Sequence, residues 1–202
     1  LGYWILNHLC REIALLDQQK AAPLRFSVNI SLRQFADSEF VDTVKSIIGQ
    51  HRVNPARIEF ELAERDVLDN LNDIAVALRE LNAFGVHFSI DDFGTGFSSL
   101  PQLQQLPVSS LKLDPSHVQL VTESDDSANI VRAMISLAHE LGMQVIAEGV
   151  ETEQQKAFLA AHRCDQLQGY VFSPPMPFDE FGRFIQQQGV TSRRSYLSVV
   201  DR

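Results

Sequence analysis

Residues 89–99 read Ser-Ile-Asp-Asp-Phe-Gly-Thr-Gly-Phe-Ser-Ser, and the rest of the chain is organised around them. The run Val86-His87-Phe88 before it alternates as a strand does, and the strand is predicted to end at Asp91 and Asp92. Adjacent carboxylates are costly to bury unless they face water, a cation or a metal ion. The glycines then allow a tight turn, and a serine is available to cap a following helix. The stretch indicates a strand-loop-helix unit with a candidate metal site, and an ordinary turn with two solvated aspartates is the alternative.

The composition is that of one globular domain. The chain has 202 residues, of which 45% are hydrophobic and 21% charged, and its formal net charge is -9. This acidic balance argues against unassisted binding to duplex nucleic acid or to an anionic membrane. Two cysteines are too few for a disulfide framework, so a cytoplasmic location is expected, while a parent protein anchored in a membrane stays possible. The domain is predicted to span residues 1–189, with a C-terminal tail at 190–202.

Strands and helices are predicted to alternate along the whole chain. Helices are expected at about 3–18, 39–50, 72–84, 128–141, 153–161 and 178–188, with strands near Phe26, Ile58, Val86, Leu111, Val145 and Asp165. Such alternation implies an α/β fold in which parallel strands are joined by right-handed crossovers. Six strands suffice for an open doubly wound sheet and are two short of a (β/α)8 barrel.

Polar residues at the strand ends favour the barrel. Each of six different strands finishes at or near one polar residue: Asn29, Glu61, Asp91, Lys112, Glu148 and Gln168. In an open sheet only some strands contribute to a ligand site, whereas in a barrel all strand ends converge on one mouth. The series therefore predicts a modified TIM (β/α)8 barrel from which the first strand or strands are absent.

Six segments, in order, resemble the successive motifs of the EAL domain family. They are Val28-Asn29-Ile30-Ser31, Glu61-Leu62-Ala63-Glu64, residues 91–100, Lys112-Leu113-Asp114, Ala147-Glu148-Gly149-Val150-Glu151 and Gln168-Gly169-Tyr170. The resemblance implies a phosphodiesterase that hydrolyses the bacterial second messenger cyclic di-GMP to linear pGpG with Mg²⁺ or Mn²⁺. It also implies a homodimer, and fusion to sensor or GGDEF domains in a larger protein.

The resemblance implies a two-metal site. Asn29, Glu61 and Asp91 would bind one ion, and Asp91 would bridge to a second ion held by Asp92. Glu148 would be the general base or a ligand of the second metal. Lys112 would orient the attacking water or offset phosphate charge. Hydrolysis of a phosphodiester at such a site agrees with the oxygen ligands that Mg²⁺ and Mn²⁺ prefer.

Further roles carry over to residues around this site. Gln168 and Glu151 would support the site and contact the substrate, and Glu64 would steady the loop after the aspartate pair. That loop, expected to join the metal site to the dimer surface, consists of Phe93, Gly94, Thr95, Gly96, Phe97, Ser98 and Ser99.

The chain also departs from the family pattern. The strand with the Glu-Ala-Leu signature, its metal-binding glutamate and a nearby substrate-binding arginine are absent from the sequence. The 202 residues alone are therefore expected to be inactive or nearly so, and open along one face. Ala63 and Arg65 stand where Thr and Ser are usual, and Pro115 and His117 where Arg and Phe are usual. These changes leave the matched ligands in place and are expected to affect loop coupling or dimerisation.

Other interpretations remain open. A catalytically inactive cyclic di-GMP receptor would keep these residues for binding, and a Mg²⁺-dependent barrel lyase would use Lys112 and the carboxylates on another phosphorylated compound. Singly, Asn29 and Gln168 would serve as structural hydrogen-bonding groups, and Lys112 as an ion-pair partner of Asp114 or Asp91. Glu61 and Glu64 would form a solvated acidic face. His87 and His117 are expected to be packed or surface residues rather than ligands, because Mg²⁺ prefers oxygen.

Overall fold

The computed structural model of the protein describes residues 2–18, 24–69, 71–95 and 103–187. The helix expected to begin at Phe97, the loop residues Gly96 to Ser99 and the tail at 190–202 lie outside the described residues.

One parallel sheet organises the described residues. Its strands are β1 (Phe26–Asn29), β2 (Ile58–Ala63), β3 (His87–Phe93), β4 (Ser110–Leu113), β5 (Gln144–Ala147) and β6 (Gln166–Leu167). They pair in chain order, each with the next, so that among the described residues β1 and β6 are the two edges. The predicted parallel α/β sheet of six strands is confirmed. The central strand is longer than predicted, because it continues through the aspartate pair to Phe93.

The helices lie between the strands. They are α1 (Gly2–Gln18), α2 (Leu32–Phe35), α3 (Phe40–His51), α4 (Glu64–Asp69), α5 (Leu71–Phe84), α6 (Pro115–Gln119), α7 (Asp125–Glu140), α8 (Glu153–Ala161) and α9 (Phe178–Gln187). In the described part of the chain, none of them is both long and apolar enough to span a bilayer. Sequence periodicity missed α2, α4 and α6, since each has only one or two turns. Side-chain caps stabilise the first turns of α2 and α6. Ser31 forms a capping box with Gln34, and Asp114 accepts a hydrogen bond from the Ser116 amide.

The sheet has one apolar and one polar face. In β2, Phe60 and Leu62 belong to the hydrophobic core, while Glu59 and Glu61 alternate with them on the other face. The strand β4 repeats the pattern, with Leu111 in the core and Lys112 on the polar face. Because Glu61, Lys112 and their neighbours are nevertheless buried, the polar face is an enclosed surface on which charges must find partners.

Near the amino ends of the strands, Arg25, Glu59 and His87 form one such polar cluster. Arg25 Nη1 donates to Glu59 Oε2 at 3.1 Å, and Arg25 Nη2 lies 3.1 Å from His87 Nε2. Burial, and then the guanidinium of Arg25, lower the pKa of His87. The folded protein therefore favours the neutral imidazole.

We expect His87 to make folding pH-dependent on the acid side of neutrality. Because its pKa is depressed in the folded state, the unfolded chain binds more protons as the pH falls below the ordinary value of 6.5, and stability decreases. Urea denaturation at pH 7.5 and pH 5.5 measures this decrease. His87→Gln should show a smaller decrease than the unchanged protein, and equal decreases would contradict the assignment.

Candidate active site

At the carboxyl edge of the sheet, three carboxylates surround the ammonium group of Lys112. Its Nζ lies 2.5 Å from Glu61 Oε1, 2.5 Å from Glu148 Oε1 and 3.6 Å from Asp91 Oδ1. These side chains come from β2, β3, β4 and the residue that follows β5. The structure thus brings together four of the predicted site residues, and Glu148, predicted as the last residue of its strand, directly follows the observed end of β5 at Ala147.

A small residue between two strands allows this arrangement. Ser89 of β3 is in register with Glu61 on one side and Ser110 on the other, and it is fully buried. Strands two apart in a sheet are separated by about 9.5 Å. The long side chain of Lys112 spans this distance across the serine. Its nearest partners are Glu61, across β3, and Glu148, beside the adjacent β5. Of the two partners considered from the sequence, Asp91 is confirmed at 3.6 Å, and no ion pair of Lys112 with Asp114 is found among the described residues.

Burial and mutual repulsion set the protonation of the cluster. Burial raises the pKa of Glu148 to about 7, and the carboxylates of Asp91 and Glu61 add to the effect while Lys112 opposes it. Burial is also the main cause that raises the pKa of Glu61. Burial disfavours the charge of Lys112, but Glu61, Glu148 and Asp91 outweigh burial and raise its pKa. The lysine is thus held charged, and Glu148 is poised to exchange a proton near neutrality.

The donor set fits a hard divalent cation. Glu61 Oε1 and Glu148 Oε1 are buried, and Lys112 Nζ lies 2.5 Å from each of them. Three carboxylates exceed the charge of one ammonium, and Asn29 at the end of β1 and Asp92 near the end of β3 lie on the two strands that flank β2. Oxygen ligands of this kind are those that Mg²⁺ and Mn²⁺ prefer. Among the described residues, no three His, Cys, Asp or Glu side chains are already arranged around a common point as metal ligands.

Asp92 has an unusual backbone. Its φ of 54° is in the left-handed region, and its amide donates to Asp91 Oδ1 at 3.0 Å. Its carboxyl group shares a hydrogen bond with that of Asp114. The pKa of Asp92 is raised by burial and by the carboxylates of Asp91 and Asp114.

The pKa of Asp114 is lowered, because hydrogen bonds from Ser116 outweigh burial. The sequence had offered Asp114 only as an ion-pair partner of Lys112, whose spacing puts both on one face, and its contact with Asp92 was not predicted.

We expect the conformation of Asp92 to cost stability. Left-handed backbone disfavours residues with a Cβ, so Asp92→Gly should raise the unfolding free energy of the metal-free protein by about 0.5–1 kcal/mol. The same change removes a candidate ligand and should weaken Mn²⁺ binding. Urea denaturation and calorimetric Mn²⁺ titration measure the two effects. Asp92→Asn is the matched control, and a glycine variant less stable than this control would contradict the prediction.

The turn after the aspartate pair is anchored by Glu64. The Gly94 amide donates to Glu64 Oε2 at 3.0 Å, and Glu64 is the first residue of α4. Glu64 is 2% exposed and Glu61 4%, so the alternative of a solvated acidic face is wrong for both. Gly94 has φ +101°, and a Cβ there would lie 2.4 Å from Met134 Cε. Only glycine fits this place without strain.

Three predicted site residues lie beside the cluster. Asn29 is exposed at the end of β1, in register with Glu61. Glu151 is exposed after β5, and its amide donates to Gln155 Oε1 at 2.8 Å. Gln168 follows β6 and bonds through its backbone to Ala147 and Val150. Among the described residues, Lys112 pairs with Glu61, Asp91 and Glu148 and not with Glu151, and the roles of Asn29, Glu151 and Gln168 stay predictions.

The fold and the site define a class: a parallel α/β partial barrel with carboxylate and ammonium side chains clustered at the carboxyl ends of its strands. A model of the EAL domain matches residues 1–175, and the chain belongs to the EAL domain family.

The chain is similar to proteins of this family in both sequence and structure. MucR of Pseudomonas aeruginosa, a bifunctional diguanylate cyclase/cyclic di-GMP phosphodiesterase, is 38% identical over 180 residues, which are 89% of this chain and 26% of MucR. A solved structure of the MucR phosphodiesterase in complex with c-di-GMP superposes with a TM-score of 0.85 at 38% identity, over 89% of this chain and 73% of that one. The EAL domain of Mycobacterium smegmatis DcpA gives a TM-score of 0.87 at 33% identity, over 93% and 84%.

The comparisons confirm the predicted fold and family. The described sheet is part of a TIM-like EAL barrel, and the chain covers only part of the EAL domains that it matches. It spans about a quarter of the length of the curated relatives.

Proposed function

We propose that the chain is the catalytic part of a metal-dependent phosphodiesterase that hydrolyses cyclic di-GMP to linear pGpG. The observation that carries the proposal is the cluster of Glu61, Asp91 and Glu148 around Lys112 at the carboxyl edge of the sheet. Membership of the EAL family supports it, as does the likeness to a phosphodiesterase solved with c-di-GMP.

The proposed cofactor is Mg²⁺ or Mn²⁺. The EAL family usually binds divalent metals, and the ions would be held by Asn29, Glu61, Asp91, Asp92 and Glu148. Bound there, they would neutralise phosphate charge and activate water for attack on phosphorus.

The residues of the chain have separate tasks in this proposal. Glu148 accepts the proton of the attacking water. Lys112 offsets the repulsion between the neighbouring carboxylates and presents a positive charge to the phosphate. Glu64 holds the turn after Asp91 and Asp92 through the Gly94 amide. Gln168 and Glu151, on loops at the same edge, would contact the substrate.

A receptor that binds cyclic di-GMP without hydrolysis is the second candidate. The position of Lys112 favours it, because an ammonium 2.5 Å from two carboxylates stabilises the cluster in the absence of metal. Such a site would keep its shape and bind the ligand without turnover.

Product analysis distinguishes the two. Protein expressed from the complete reading frame is incubated with cyclic di-GMP and Mg²⁺ or Mn²⁺, and the products are separated by chromatography. Formation of pGpG that EDTA abolishes is the expected result. Saturable binding without pGpG would replace the phosphodiesterase by the receptor, and absence of both would reject cyclic di-GMP as the ligand.

The proposed function extends to the oligomeric state, the location and the neighbouring domains of the EAL unit. Residues 1–189 form the EAL unit, which works as a homodimer in the cytoplasm. Sensor or GGDEF domains are its proposed neighbours, and the relative MucR is a bifunctional diguanylate cyclase/cyclic di-GMP phosphodiesterase.

A further inference from the structure

We propose that His117 is a positioning residue that fixes the Asp91–Asp92 pair by holding the backbone of Gly94. This inference rests on the proposed function, since it assigns His117 to the same metal site. The sequence had left His117 as a packed or surface residue.

The Gly94 backbone is held from two sides. Its amide donates to Glu64 Oε2 at 3.0 Å, and its carbonyl oxygen lies 3.3 Å from His117 Nε2. Since a carbonyl only accepts, His117 must carry a proton on Nε2. Glu64 begins α4 and His117 lies in α6, so the turn is clamped between two separate elements.

Side chains also pack closely against the Gly94 backbone, in addition to the two hydrogen bonds. A Cβ on Gly94 would lie 2.9 Å from His117 Nε2 and 2.4 Å from Met134 Cε. The ring and the methionine therefore pack directly against the glycine backbone. This close approach restricts Gly94 sterically while the two hydrogen bonds fix its orientation.

The position of Gly94 determines that of Asp92. The amide and hydroxyl of Thr95 both donate to the Asp92 carbonyl, at 3.3 and 2.9 Å, which closes a turn over residues 92–95. Asp114, the cap of α6, shares a hydrogen bond with the Asp92 carboxyl. The helix α6 thus contacts both the beginning and the middle of the turn. Without the hydrogen bond from His117 to the Gly94 carbonyl, the turn that follows the left-handed Asp92 keeps the hydrogen bond from the Gly94 amide to Glu64 but loses its contact with α6.

Paired substitutions separate the hydrogen bond from ring packing. His117→Gln keeps an N–H donor near the position of Nε2, whereas His117→Phe keeps a ring and removes the donor. His162→Phe is the matched control, because His162 also contacts a backbone carbonyl, that of Phe158, at 2.7 Å. Calorimetric titration with MnCl₂ should show about tenfold weaker binding for His117→Phe, with His117→Gln and His162→Phe within about twofold of the unchanged protein.

Two measurements do not depend on catalysis. Nitrogen NMR of the imidazole should show the Nε2–H tautomer of His117 at pH 8. Amide exchange at Gly94 should be faster in His117→Phe and near normal in His117→Gln. An Nδ1–H tautomer, or a phenylalanine variant with unchanged Mn²⁺ affinity and unchanged exchange, would overturn the inference. If pGpG is never formed but exchange follows this pattern, the phosphodiesterase proposal fails while the clamp stands.

Discussion

Replacing Glu148 by glutamine is expected to slow hydrolysis of cyclic di-GMP by about a thousandfold while binding of the dinucleotide persists. The amide keeps the shape of the side chain but accepts no proton, and general-base catalysis typically contributes 10²–10⁴-fold. Product formation and calorimetric binding with Ca²⁺ or Mg²⁺ measure the two properties. Glu153→Gln, at an exposed position in the first turn of α8, is the control. Retained turnover in Glu148→Gln would remove Glu148 from the role of base.

The same substitution should stabilise the metal-free protein at high pH. The pKa of Glu148 rises from 4.5 to about 7 on folding, so the folded state binds more protons than the unfolded state in that interval. The unfolding free energy therefore falls as pH rises through this window. Glutamine removes the unfavourable charge, and urea denaturation at pH 8 should show a gain of up to about 3 kcal/mol. At pH 4.5 the gain should vanish.

Replacing Lys112 by methionine is expected to produce the largest loss of stability. Lys112 is 3% exposed, and its removal leaves the carboxylates of Glu61, Glu148 and Asp91 without a cation. Breaking a buried ion pair by removing one partner costs about 3–5 kcal/mol. Urea denaturation at pH 8 without metal should show this loss.

Two comparisons test the electrostatic explanation. Acid should diminish the loss, because Glu148 becomes protonated below about pH 7 and the remaining repulsion falls. Lys156→Met removes a surface lysine paired with Glu153 and should change stability little. If Lys112→Met is no more destabilised than this control, the cluster is not held by the lysine.

The sequence was sufficient for the strands and for the edge on which the site lies. Period-two patterns place Glu61, Asp91 and Lys112 at strand ends, and parallel strands bring their ends to one side. Asp91 was considered from the sequence as a partner of Lys112, but the closer contacts with Glu61 and Glu148 were not predictable. They depend on pairing register and on the small Ser89 between β2 and β4, which no local pattern encodes.

The short helix α6 and its contacts were also not predictable from the sequence. The five residues of α6 give no helical periodicity, although Asp114 and Pro115 form a recognisable start. Because that helix was missed, neither the contact of Asp114 with Asp92 nor that of His117 with Gly94 was predicted. Both contacts join β3 to a segment more than twenty residues away, so they exist only once the strands are assembled.

Anomalous diffraction at the manganese edge tests the central claim most directly. Crystals of the protein soaked in MnCl₂ should show a peak bounded by Glu61, Asp91 and Glu148, with Asn29 or Asp92 as a further ligand and Lys112 Nζ displaced from its 2.5 Å contacts. No manganese peak at this edge of the sheet, with Lys112 still lying between the carboxylates, would contradict the metal-dependent phosphodiesterase.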